Sequence, residues 1–120
     1  MPASSILVAD DDTAIRTVLN QALSRAGYEV RLTGNAATLW RWVSQGEGDL
    51  VITDVVMPGM GGRELVKQLA QTRPETKVLY LSGYTEDAIV SEGTIESGAA
   101  FLQKPFTLQN LSRKVREVLG

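Results

Sequence analysis

Leu50-Val51-Ile52-Thr53-Asp54 decides how this chain folds. An unbroken run of this kind, without alternation of polar and apolar residues, reads as a strand covered on both faces, the condition of a strand inside a parallel sheet. The carboxylate that ends it, followed by Val55-Val56-Met57-Pro58-Gly59, stands on a tight turn that exposes it. Two other runs have the same form: Ile6-Leu7-Val8-Ala9 leads to Asp11-Asp12, and Ala100-Phe101-Leu102-Gln103 leads to Lys104-Pro105. As neighbouring parallel strands, the three runs bring their charged ends to one sheet edge.

Around these runs, strand-like and helix-like segments alternate, the pattern of a parallel sheet with covering helices. Ser5 to Ala9 is the first strand. Ile15, Val18, Leu19, Ala22, Leu23 and Ala26 recur at helical spacing after it, and Gly27 suits the left-handed residue that stops a helix. Glu29-Val30-Arg31-Leu32-Thr33 alternates, which suits a partly exposed edge strand. Ala36, Leu39, Trp40 and Val43 form the inward stripe of a second helix, bounded by Gly46 and Gly48, with Trp42 flanking the stripe. Leu65, Val66 and Leu69 do the same for a third, which Pro74 ends. Val78-Leu79-Tyr80-Leu81 is a continuous buried strand. The helix within Glu86 to Ser97 has few large apolar residues, Ile89, Val90 and Ile95, and Gly93 costs it about 1 kcal/mol relative to Ala, so it is expected to be short or mobile. Leu108, Leu111, Val115 and Val118 mark a final helix whose other face carries Arg113, Lys114 and Arg116.

The expectation is an α/β fold of five parallel strands and five helices. Right-handed crossovers and an edge position for the second strand favour the doubly wound order 2-1-3-4-5, the flavodoxin-like arrangement. Ligands in such sheets bind beyond the carboxyl ends of the strands, where the winding reverses between strands one and three. Asp11, Asp12 and Asp54 fall there. With 120 residues and no linker, repeat or low-complexity tract, one domain over residues 1–120 is expected.

Composition narrows the chemistry. No cysteine and no histidine means no disulfide, no thiolate or imidazole metal ligand, and no histidine base. Any metal must be held by oxygen. A net charge of -2 supplies no general attraction to nucleic acid or anionic lipid. No apolar stretch approaches the roughly 20 residues that span a bilayer, and Met1-Pro2-Ala3-Ser4-Ser5 lacks the features of a secretory signal, so the cytoplasm is the expected compartment.

Carboxylates gathered at one edge repel one another unless a cation sits between them. Mg²⁺ fits best, being a hard cation held by one or two carboxylates plus phosphate and water, with Mn²⁺ as a substitute. The plain alternative for Asp11-Asp12 is a helix N-cap. Asp54 on its turn is placed to attack phosphorus and become an aspartyl phosphate. Lys104 supplies a compact positive charge for a phosphoryl oxygen, and a cis peptide bond before Pro105 would aim it into the crevice. Ser82, at the end of the fourth strand and beside Gly83, offers a hydroxyl to the same group; its alternative is a local backbone bond.

Asp11-Asp12, Asp54 within VITDVVMPGMGG, Ser82 within VLYLSG and Lys104 within FLQKPF together resemble the receiver domain of two-component response regulators, over essentially the whole chain. The resemblance implies that Asp54 accepts a phosphoryl group from a phosphohistidine on a sensor histidine kinase or phosphotransfer protein. It implies that Asp12, Asp54 and the backbone carbonyl of Val56 bind Mg²⁺ directly, that Asp11 acts through water, and that Lys104 pairs with the phosphoryl group. Having no histidine, the chain must take the group from another protein or an acyl phosphate. Phe101 occupies the position of a switch aromatic, without the hydroxyl a tyrosine would bring; the alternative is plain core packing. Phosphorylation is expected to shift the fourth helix and the surface it makes with strand five and the last helix, for an output domain that is left unassigned, with a phosphorylation-dependent dimer as a further implication.

The resemblance divides. Up to about Pro58 the chain is similar to receivers of NtrC-type nitrogen regulators, and from Gly59 on to receivers of hybrid histidine kinases, which favours an engineered chimera over a natural intermediate. Two other function classes stand beside the phosphorylatable switch. An aspartyl-nucleophile phosphatase would want an acid/base Asp at position 56, which is Val; a docking or engineered module would keep the fold without phosphotransfer.

Overall fold

The structure, a computed structural model, describes residues 4–55, 67, 71, 75–91 and 99–120. Its strands are β1 (Ser5–Ala9), β2 (Glu29–Thr33), β3 (Leu50–Asp54), β4 (Lys77–Ser82) and β5 (Phe101–Gln103). All pair in parallel, in the order β2-β1-β3-β4-β5. This is the expected doubly wound sheet, with the alternating strand β2 at one edge.

Among the described residues the helices are α1 (Thr13–Arg25), α2 (Ala36–Ser44), α3 (Glu86–Ser91) and α4 (Leu108–Leu119). The expected helix on Leu65, Val66 and Leu69, its stop at Pro74, and the positions Gly93 and Ile95 lie outside the described residues. None of the helices in the described residues is long and apolar enough to cross a membrane.

Local chemistry sets the helix ends. Asp12 caps α1, its carboxylate accepting from the amides of Ala14 and Ile15, and Thr107 caps α4 by accepting from the Asn110 amide. Each satisfies amide donors that a helix start leaves without intrahelical partners. Gly27, at φ 95°, closes α1: its own amide donates to Ser24 O and the Tyr28 amide donates to Leu23 O. That pair of bonds is the Schellman arrangement, and its left-handed residue favours glycine.

Because strand side chains alternate, the sheet has two dry faces. Ile6, Val8, Leu50, Ile52, Leu79 and Leu81 pack with Leu19 and Leu23 of α1 and Leu111 and Val115 of α4. Leu7, Ala9 and Val51 pack with Ala36, Leu39 and Val43 of α2. Trp40 and Trp42 are both half-buried against this second cluster, and the Arg31 guanidinium lies 4.2 Å from the Trp42 ring centroid. Val18 and Leu108, read as part of inward stripes, are exposed, because each lies at the margin of its helix's buried face.

Candidate functional site

Register brings the acidic residues together. Ala9 pairs with Thr53, so the next step along both strands sets Asp10 beside Asp54 at the carboxyl edge of the sheet. Asp10, Asp11 and Asp54 each offer a carboxylate oxygen within 4.8 Å of the others. Across the edge, β5 ends just before Lys104, and the Lys104 amide donates to Ser82 O at 2.7 Å. The Lys104–Pro105 peptide bond is cis. The Lys104 ammonium lies 2.6 Å from Asp10 Oδ2 and donates to Asp54 Oδ2 at 2.9 Å.

The group of converging carboxylates differs from the one read in the sequence. The resemblance puts Asp12 in the metal's direct shell; in the structure its carboxylate caps α1, accepting from the amides of Ala14 and Ile15. Asp10, which the sequence reading passed over, is the fully buried member of the cluster. A sequence signal for it existed: among three consecutive aspartates, the first directly continues an apolar strand, as Asp54 ends β3. The Asp12 amide donates to Asp10 Oδ1 at 2.9 Å, so the cap residue also steadies the buried acid. Val56 lies outside the described residues.

Burial pushes the Asp10 carboxyl above the usual range, against the pull of Lys104 and of the Asp12 amide, and Asp54 adds to the rise by repulsion. For Lys104, burial works to lower its pKa, but hydrogen bonding and attraction from Asp10 and Asp54 outweigh it and hold the ammonium above its ordinary value. Three carboxylates thus face one ammonium. Asp10 Oδ2 is buried against the Lys104 ammonium at 2.6 Å, so a cation entering the pocket would share the carboxylates with this lysine. The donor set is all oxygen and suits Mg²⁺.

Ser82, buried at the end of β4, accepts from the Tyr84 amide through its hydroxyl oxygen at 3.0 Å. Phe101 is buried with Val55 and Tyr80, against which Val90 and Ala99 pack. Val55 directly follows Asp54, so the aromatic side chain is one packing contact from the site.

An acidic pocket at the switch point of a doubly wound sheet, with a lysine directly after the last strand, defines a signalling receiver domain. The chain belongs to the response regulator receiver domain family, whose profile matches residues 6–116. It is 61% identical over 120 residues to the DNA-binding transcriptional regulator NtrC of Bradyrhizobium sp. (strain RP501 Parasponia), covering 100% of this chain and 25% of that protein. It is 34% identical over 119 residues to the sensor kinase CckA of Brucella abortus, covering 98% of this chain and 13% of that protein. Among solved structures, the chemotaxis protein CheY4 of Vibrio cholerae superposes with a TM-score of 0.85 at 29% identity, over 97% of this chain and 98% of that one. The chain spans about a quarter of the length of the NtrC relatives it matches. Receiver domains are phosphorylatable switches of two-component signalling; they take phosphoryl groups from histidine kinases and bind Mg²⁺ through an acidic pocket.

Proposed function

We propose that Asp54 is the phosphoacceptor of this receiver and that Asp10, Asp11 and Asp54 hold the Mg²⁺, with the Val56 carbonyl as a further ligand. The observation that carries this is the placement of Asp54 at the carboxyl end of β3, largely buried, hydrogen-bonded to Lys104 and within reach of two other carboxylates. An Asp54 carboxylate oxygen attacks phosphorus in line; the new bond is O–P, and the bond that breaks is P–N to the donor's imidazole, or P–O to acetate when acetyl phosphate is the donor. The leaving group departs with the bonding electron pair. The ion, when bound, neutralises charge on the phosphoryl oxygens. Lys104 exchanges its carboxylate contact for a phosphoryl oxygen, and Ser82 offers its hydroxyl to another.

The product carries about -1.5 to -2 charge at Asp54 and three acceptor oxygens. Drawing Ser82 and Lys104 towards it moves the end of β4, and with it Phe101, Val90 and the surface formed by α3, β5 and α4. The same site allows slow loss of the group to water, and no turnover of a separate substrate is assigned. The partner is a sensor histidine kinase or phosphotransfer protein in the cytoplasm, and self-association follows phosphorylation. Incubation with acetyl phosphate and Mg²⁺ should add the mass of one phosphoryl group, and Asp54→Asn should abolish it; an unchanged mass in the parent chain would leave the docking-module reading standing.

The match to NtrC at 61% identity runs over all 120 residues, across residue 59, and the match to CckA covers 98% of the chain, so the two-part resemblance is not read as a joined chain.

A further inference from the structure

Near the amino end of α1 sits a cation, Arg16, where the helix dipole favours anions. Its side chain leans back along the helix, as helical side chains do. Nη1 donates to the backbone carbonyl of Asp10 at 2.6 Å, and Nη2 donates to Thr13 Oγ1 at 3.2 Å. The guanidinium also lies against Gly34, which follows β2: a Cβ built there would meet Nη1 at 3.0 Å and Cζ at 3.6 Å. A glycine at 34 therefore leaves the room that the guanidinium occupies. Asp10 is held from every side, its amide donating to Thr33 O at 3.1 Å, its carbonyl accepting from Arg16, its Oδ1 accepting from the Asp12 amide and its Oδ2 facing Lys104.

We propose that Arg16 is a positioning residue for the acidic pocket, locking the carbonyl of Asp10 through a fork that Gly34 accommodates, and thereby setting the affinity for the divalent cation. This rests on the reading of Asp10 as a metal ligand. Residues that orient a ligand typically change metal affinity 10- to 100-fold when removed. Arg16 touches neither Asp54 nor the reacting phosphorus, so its removal acts on the cation's affinity and leaves the chemistry at saturating cation intact.

Calorimetric titration with Mg²⁺ and acetyl phosphate labelling at low and saturating Mg²⁺ test this on the parent chain, Arg16→Ala, Arg16→Lys and Gly34→Ala. Arg16→Ala should weaken Mg²⁺ about tenfold or more and slow labelling at low Mg²⁺, with the saturated rate within about twofold of the parent. Arg16→Lys, which keeps the charge and loses the planar fork, should recover part of the affinity. Gly34→Ala should weaken Mg²⁺ in the same sense by displacing the guanidinium. In the metal-free protein, the Asp10 amide should exchange faster in Arg16→Ala. Unchanged affinity in Arg16→Ala overturns the proposal, as does an equal loss of labelling at low and saturating Mg²⁺. A parent chain that binds no Mg²⁺ overturns the reading of the pocket itself, which is a distinct result from a parent that binds and variants that bind equally well.

Discussion

Lys104 Nζ lies 2.9 Å from Asp54 Oδ2, two residues 50 apart in sequence joined across the carboxyl edge of the sheet. The same ammonium stands 2.6 Å from the buried Asp10. One cation thus holds apart charges that would otherwise oppose folding. Lys104→Ala should lower stability by about 1–3 kcal/mol, the typical consequence of leaving a buried polar group without its partner. Urea denaturation without metal checks this, and added Mg²⁺ should restore a larger share of stability to Lys104→Ala than to the parent.

Asp10 and Asp12 can be separated by experiment. Asp10→Asn should weaken Mg²⁺ binding by about tenfold or more, since it removes a carboxylate from the cluster. Asp12→Asn should leave that affinity almost unchanged, because Asn is as good an N-cap as Asp. Asp12→Ala should instead cost about 1 kcal/mol of stability through the lost cap. If Asp12→Asn abolished Mg²⁺ binding while Asp10→Asn did not, the metal ligand set proposed above would be wrong.

The pH dependence follows from the raised pKa of Asp10. Folding favours its neutral form, so its contribution to stability is fully present below the ordinary carboxylate value of about 4 and is lost as pH rises through the higher folded value. Lys104, also raised, contributes stability that is fully present below about 10.4 and is lost as pH rises through its folded value. Mg²⁺ competes with the Asp10 proton, so its stabilising effect should grow as pH rises above about 4. At 100 times its dissociation constant Mg²⁺ should add about 2.7 kcal/mol at neutral pH. Thermal unfolding with and without Mg²⁺ across this range is the measurement, and Asp10→Asn should flatten the curve.

Phe101 couples packing to the site through Val55 and Tyr80. Phe101→Ala should cost about 3–5 kcal/mol, the range for emptying a buried aromatic position. With a phosphoryl mimic and Mg²⁺, amide exchange at Val90 and Phe101 should change in the parent chain. Exchange that stays constant at both positions would remove the proposed route from Asp54 to the α3, β5 and α4 surface.

The strands and their order were legible because they depend on local pattern. Continuous apolar runs in β1, β3 and β4, and alternation in β2, report which strands are covered on both faces, and handed crossovers leave few orders to choose from. Asp54 and Lys104 were legible for the same reason, each being the charged residue that terminates such a run. The ends of α1 were nearly so, since Gly27 and the aspartate run carry their own capping chemistry.

What the sequence by itself determined was therefore the parallel sheet, the edge at which charge gathers, and the absence of histidine and cysteine that restricts any metal to oxygen ligands. Only the tertiary structure decided which two of Asp10, Asp11 and Asp12 join Asp54. Adjacent residues at a strand end point in different directions, and their roles depend on the register of Ala9 with Thr53 and on where α1 begins. The register carries Asp10 inward beside Asp54, while the first free amides of α1 take Asp12.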